Sequence, residues 1–251
     1  MYPSISLGPF VFPVAGLLYL LGAAVSLNVV ERAAKLLKLD YNAIYATAVT
    51  GLVSGMVGAR LVFVALYWSA FQENLLAIIW PLNSGYNLVG GLLFGSAGVL
   101  FYGRYKKLPL ASTADAMIPG VITGLIFISL ADFLAGPGMG TYSRQFWAMD
   151  MYGALRHPVQ IYEIIGAAFA LLVWWKMRPS RLFDGQLFLM TTAVYAASRL
   201  FTDAFRQSSW FTADGYRIIQ IISLAVMLIC LYMLNHQIEK VKSSSNLAKK
   251  E

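Results

Sequence analysis

Hydrophobic positions in this chain gather in long blocks separated by short polar stretches. Seven such blocks lie at approximately 11–30, 44–68, 88–103, 114–135, 158–177, 185–205 and 216–235. A helix needs about 20 mostly apolar residues to cross the hydrocarbon core of a bilayer. Only a helix satisfies all its backbone N–H and C=O groups within one segment in that medium. The pattern therefore predicts an all-α integral membrane protein with seven transmembrane helices. It also predicts one transmembrane domain over 1–238 and a polar, disordered cytoplasmic tail over 239–251.

The polar connections set an orientation. Arg32, Lys35 and Lys38 follow the first block, and Arg104, Lys106 and Lys107 follow the third. Lys176, Arg178 and Arg181 follow the fifth, and Lys240, Lys242, Lys249 and Lys250 follow the seventh. The alternate connections are poor in cations. Lys and Arg accumulate on the cytoplasmic side, so the N-terminus is expected outside and the C-terminus cytoplasmic. The formal net charge of +7 is then a topology signal reinforced by anionic lipid headgroups, and it needs no nucleic-acid partner.

Composition agrees with this reading. The chain is 59% hydrophobic and 12% charged, against about 25% charged in soluble domains. Its single cysteine, Cys230, excludes an intramolecular disulfide and a cysteine-based metal cluster. No metal or cofactor is expected. The first block lacks a basic n-region, so it reads as a retained helix. Gly51/Gly55, Gly91/Gly95 and Gly120/Gly124 have the spacing of closely packed helices. Tyr67, Trp68, Trp80, Trp147, Trp174, Trp175 and Trp210 suit the membrane–water belts.

Ionisable groups inside spans cost about 2.5–3.5 kcal/mol each on the mildest scale, which makes each one a functional candidate. Given the orientation, Arg60, Arg199, Asp203, Asp132, Gln160, Glu163 and Asn87 all fall toward the outer side. They suggest a polar pocket opening to the outer leaflet, with "RHPVQIYE" (156–163) at its rim. Arg199 and Asp203, four apart on one helix, are placed to pair. Asp115, in "STAD", reads as the cap of its own helix. "GPGMG" (136–140), led by Gly136, reads as a turn or as a backbone-amide nest for an anion.

Several of these stretches carry a resemblance. "GARLVFVALYW" (58–68), "ADAMIPG" (114–120), "FLAGPGMG" (133–140), "RHPVQIYE", "SRLFTDAFR" (198–206) and "QIIS" (220–223) occur in the order seen in prolipoprotein diacylglyceryl transferases. The chain resembles that family from about residue 10 to 235. The resemblance implies a multi-pass protein of the bacterial inner membrane. It would transfer a diacylglyceryl group from phosphatidylglycerol, or another anionic lipid, to a lipobox cysteine in a preprolipoprotein signal peptide. It assigns catalysis to Arg199 and Asp203. His157 stands either as a substitute base or as packing against Pro158. Lipid binding would fall to Arg60, Asn87, Asp132, Gly136, Gln160, Tyr162, Glu163 and Arg206.

Three positions depart from the family pattern: Val89 in place of a histidine, Ser129 in place of an arginine and Ala15 in place of a tyrosine. They leave open a descendant that binds lipid or a membrane peptide without chemistry. A small-solute transporter is the third alternative, and it lacks the expected repeats.

Overall fold

Long helices form where the apolar blocks lie. The computed structural model describes residues 4–7, 10–79, 85–136, 138–151 and 153–247. Trp80, Pro137 and the Lys249–Lys250 end of the tail lie outside the described residues. In chain order the elements are β1 (Ser4–Leu7), β2 (Phe10–Pro13), α1 (Val14–Leu36), α2 (Tyr41–Leu66), the one-turn α3 (Leu76–Ile79) and α4 (Leu88–Tyr105). There follow α5 (Leu110–Ala135), β3 (Met149–Met151), β4 (Ala154–Arg156), α6 (Val159–Met177), α7 (Gln186–Thr202) and α8 (Ile218–Leu247).

Helices α1, α2, α5, α6 and α8 are long and apolar enough to cross a membrane. The fold is that of an integral, multi-pass membrane protein. Helices α4 and α7 have 18 and 17 residues. At 1.5 Å per residue they rise about 27 and 26 Å, just short of a ~30 Å hydrocarbon core.

Several boundaries differ from the sequence reading. Helix α1 continues to Leu36, so Arg32 and Lys35 ride on its last turns. Helix α8 continues to Leu247, well into the segment expected to be a disordered tail. The chain groups into two compact units, Met1–Val29 with Ala114–Glu251 and Val30–Thr113.

In the Val30–Thr113 unit, α2 and α4 run antiparallel along their glycines. Cβ atoms built on Gly55 and Gly95 would lie 3.2 and 3.1 Å from the carbonyls of Gly91 and Gly51. The small residues bring the two backbones together, as their spacing anticipates.

In the other unit, α6 packs on α7 and α7 on α8. Gly166 of α6 faces Ser198 of α7, whose hydroxyl fills the space a Cβ would take. Helix α1 meets α5 where Gly22 faces Phe127 and Gly124 faces Ser26. Strands β3 and β4 form a hairpin in the long connection between α5 and α6, with Met149 opposite Arg156.

Asp115 does not cap its own helix. Helix α5 has already begun at Leu110, and Asp115 is fully buried on its side. Its carboxylate instead accepts the N–H groups of Gly185 (2.8 Å) and Phe188 (2.7 Å), with Arg181 Nη1 at 3.3 Å. An aspartate from α5 therefore satisfies the orphan donors at the start of α7, whose N-cap is a glycine at φ 93° with no capping side chain of its own. Trp174 Nε1 ties α6 to the same turn by donating to the Asp115 carbonyl at 2.9 Å.

Removing this carboxylate strands two backbone N–H groups, that of Gly185 buried and that of Phe188 partly so. Asp115→Ala is expected to cost about 2–3 kcal/mol and to lower the melting temperature in detergent by about 5–10 °C. Asp115→Asn, which keeps one acceptor oxygen, should lose less. Equal melting of all three proteins would overturn the capping role.

Candidate functional site

Glu163 anchors a cluster of charged residues in the larger unit. Pro158 stands at the N-cap position of α6, and Gln160 and Glu163, three apart, share its inward face. Gln160 is fully buried and Glu163 is 4% exposed. The Gly166–Ser198 approach draws α6 onto α7 one turn further along, beside Arg199.

Glu163 Oε1 accepts from Arg199 Nη1 and, at 3.1 Å, from Arg206 Nη1. Its other oxygen accepts from Ser129 Oγ at 3.0 Å. Arg206 Nη2 reaches Asp132 Oδ2 at 3.5 Å. Three helices and the turn after α7 thus converge on one buried carboxylate. In a low-dielectric interior such a charge must be paired and hydrogen-bonded. The side chains of Arg199, Arg206 and Asp132 remain 17%, 17% and 20% exposed.

The glycine turn explains how Arg206 arrives there. Gly136, at φ 100°, closes α5 by donating to the Asp132 carbonyl at 2.9 Å. Gly138, at φ 77°, lies against the Arg206 guanidinium, and a Cβ there would collide with Nη2. Both conformations favour glycine. Beyond the turn, Thr141 N–H donates to the Phe205 carbonyl at 2.8 Å and Gln207 N–H to the Met139 carbonyl at 3.0 Å. The stretch is a seat for Arg206, and Gly136 uses its own N–H to end a helix.

Asp203 does not pair with Arg199. Helix α7 ends at Thr202, and Asp203 opens a 3-10 turn. There its Oδ1 accepts from Ser209 Oγ at 2.6 Å, and Oδ2 lies 3.9 Å from Arg217 Nη1. Arg217 also donates to the carbonyls of Asp203 and Arg206, at 2.6 and 2.8 Å. The i,i+4 pairing fails because the helix stops before the fourth residue, and Arg199 finds a deeper carboxylate on α6.

His157 and Tyr162 form a flank. His157 Nδ1 lies 3.1 Å from the Tyr162 hydroxyl, which accepts from Trp147 Nε1 at 2.8 Å. The imidazole packs on Phe205 with ring centroids 4.8 Å apart. Its ring neighbours among the described residues are Tyr162 and Phe205.

Arg60 and Asn87 belong to the other unit. Arg60 donates to the carbonyls of Ala77, Ile78 and Gly85, at 2.5, 3.0 and 2.8 Å, which holds the connection after α3. Asn87 is the N-cap of α4, its side chain accepting from Gly90 N–H at 2.8 Å.

Several residues escaped the sequence reading. Ser129, one of the three departures from the family pattern, is a direct partner of Glu163. Tyr195 stands one turn before Arg199 on α7, a spacing visible in the sequence. Arg156 bonds Gln207 Oε1 and, at 3.2 Å, the Gly140 carbonyl, and it stacks on Tyr142. Among the described residues no group of His, Cys, Asp and Glu could hold a metal ion.

Known sequences match this arrangement along nearly its whole length. A model of the family described as prolipoprotein diacylglyceryl transferase matches residues 4–236. Proteins named phosphatidylglycerol–prolipoprotein diacylglyceryl transferase are similar to it in several bacteria. The Enterococcus faecalis protein is 27% identical over 190 residues, covering 70% of this chain and 68% of that protein. The Finegoldia magna protein is 26% identical over 215 residues, covering 85% and 86%. The Dehalococcoides mccartyi protein is 26% identical over 221 residues, covering 83% and 82%. With the family matched from the first strand to the last helix, the chain belongs to the prolipoprotein diacylglyceryl transferases.

Proposed function

We propose that this chain transfers a diacylglyceryl group from phosphatidylglycerol to the cysteine thiol of a preprolipoprotein. The names of its relatives support that substrate pair. The observation that carries the reading is the partly exposed arginine pair held in place by buried Glu163. In this reading all seven long helices cross the bacterial inner membrane, with the N-terminus outside and the C-terminus cytoplasmic. The Glu163 cluster then faces the outer leaflet, and the helical end of α8 lies on the cytoplasmic side.

The chemistry needs two things. The thiol must lose its proton, since the thiolate is the nucleophile. The sulfur then bonds the glyceryl carbon, the carbon–oxygen bond to phosphate breaks, and glycerol phosphate leaves with the electron pair. Arginine suits that oxyanion through paired, charge-assisted hydrogen bonds. Arg199 and Arg206 take this role through the N–H groups they aim at the leaving oxygen. His157 keeps Nε2 for the proton, with Nδ1 turned to Tyr162. Asp203, Ser209 and Arg217 fix the turn that aims Arg206. Gln160 lines the buried wall beside Glu163, and Arg60 and Asn87 order the second unit.

A second reading is a lipid- or peptide-binding descendant without chemistry. Two substitutions favour it: Val89 takes no proton, and Ser129 carries no charge to hold a phosphate.

Complementation separates the two. Expressed in cells depleted of their own diacylglyceryl transferase, the chain should restore lipoprotein modification. Arg199→Ala should lower the transfer rate by about 10²–10³-fold. Absence of rescue by well-inserted protein would favour the binding reading.

Glu163→Gln should leave both guanidinium groups without their shared carboxylate. The expected cost in stability is about 3–5 kcal/mol, read as a fall in melting temperature, with transfer lost alongside. Unchanged melting would show that Glu163 does not hold the site together.

A further inference from the structure

The Glu163 cluster is electrically balanced. Two guanidinium groups, Arg199 and Arg206, face two carboxylates, Glu163 and Asp132. The adjoining Arg217 and Asp203 form a further opposite-charge pair. Arg156, the next cation along the chain, is buried against Gln207, Gly140 and Tyr142. The cluster itself therefore offers a purely anionic headgroup no net positive charge.

It offers unused groups of both signs instead. Arg199 engages only Nη1, which leaves Nη2 and Nε as donors. Arg206 Nε is buried without a partner. On the other side, Asp132 accepts through Oδ2 alone, at a loose 3.5 Å, while Oδ1 has no hydrogen-bond partner among the described residues. Asp132 is also the most exposed member of the cluster.

Helix α1 runs alongside this part of α5. The Ser26–Gly124 and Gly22–Phe127 contacts fix an antiparallel register between α1 and α5. Continued one turn, that register brings the half-exposed ring of Tyr19 level with Asp132. A carboxylate beside an aromatic ring suits an ammonium group.

We infer that the site takes a zwitterionic phospholipid headgroup, its phosphate on Arg199 and Arg206 and its ammonium on Asp132 beside Tyr19. Resting on the transferase reading, this widens the donor from phosphatidylglycerol to phosphatidylethanolamine. The balance is the same: the sulfur–carbon bond forms and the glyceryl carbon–oxygen bond breaks. Phosphoethanolamine leaves with the electron pair, and the thiol proton goes to the base.

The test reads lipid retention apart from chemistry. The full chain is reconstituted in nanodiscs of equimolar phosphatidylethanolamine and phosphatidylglycerol, and retained lipids are counted by native mass spectrometry. Wild-type protein is expected to retain phosphatidylethanolamine at least as well as phosphatidylglycerol. Asp132→Asn, nearly isosteric, should lower that ratio by roughly tenfold, the scale of one charge-assisted hydrogen bond. A wild-type ratio well below one, or a ratio that Asp132→Asn leaves unchanged, overturns the inference. Transfer to a lipobox cysteine peptide is then measured with each lipid as sole donor. Transfer from neither lipid, with the retention ratio as expected, would sink the transferase reading and leave the headgroup site standing. Transfer from phosphatidylglycerol alone would overturn the widened donor range.

Discussion

A buried carboxylate shared by two arginines is the interaction on which the rest of the larger unit depends. Glu163 is almost wholly out of solvent, and an isolated charge there would cost several kcal/mol. It is tolerable because Arg199, Arg206 and Ser129 approach it from three directions. That requirement disciplines the surrounding chain. Helix α6 must close on α7, α7 must stop one turn past Arg199, and the following turn must bring Arg206 back.

Small residues and backbone geometry meet those demands. Gly166 lets α6 and α7 approach, and Gly138 makes room for the Arg206 guanidinium. Ser209 and Arg217 lock the turn through Asp203. Few of these residues are chemically reactive. Their effect is to hold two cations at fixed positions near the surface of a membrane helix bundle, and a preorganised field of that kind costs no reorganisation when charge develops.

The site also differs from what family resemblance alone would suggest. Ser129 donates a neutral hydrogen bond where an arginine was expected, and Asp132 adds a carboxylate at the edge. Both changes move the cluster toward charge balance. Phosphate binding by arginine remains chemically available through the unused donors of Arg199, while the free oxygen of Asp132 gives the same cluster a cation-binding side.

The sequence by itself determined the medium and the long elements. Apolar blocks of spanning length leave helices as the only way to satisfy the backbone in lipid, and long helices form where those blocks lie. It also determined that Gly51, Gly55, Gly91 and Gly95 would draw helices together, because small residues act wherever they lie on an interface. It did not determine partners. Arg199 four residues before Asp203 reads as a pair, and Asp115 after Ser112 and Thr113 reads as a local cap. Periodicity reports which face a residue occupies on its own helix, whereas a buried charge is satisfied by whatever another helix presents at that depth. Only tertiary packing could give Arg199 to Glu163, Asp115 to the start of α7, and the glycine turn to Arg206.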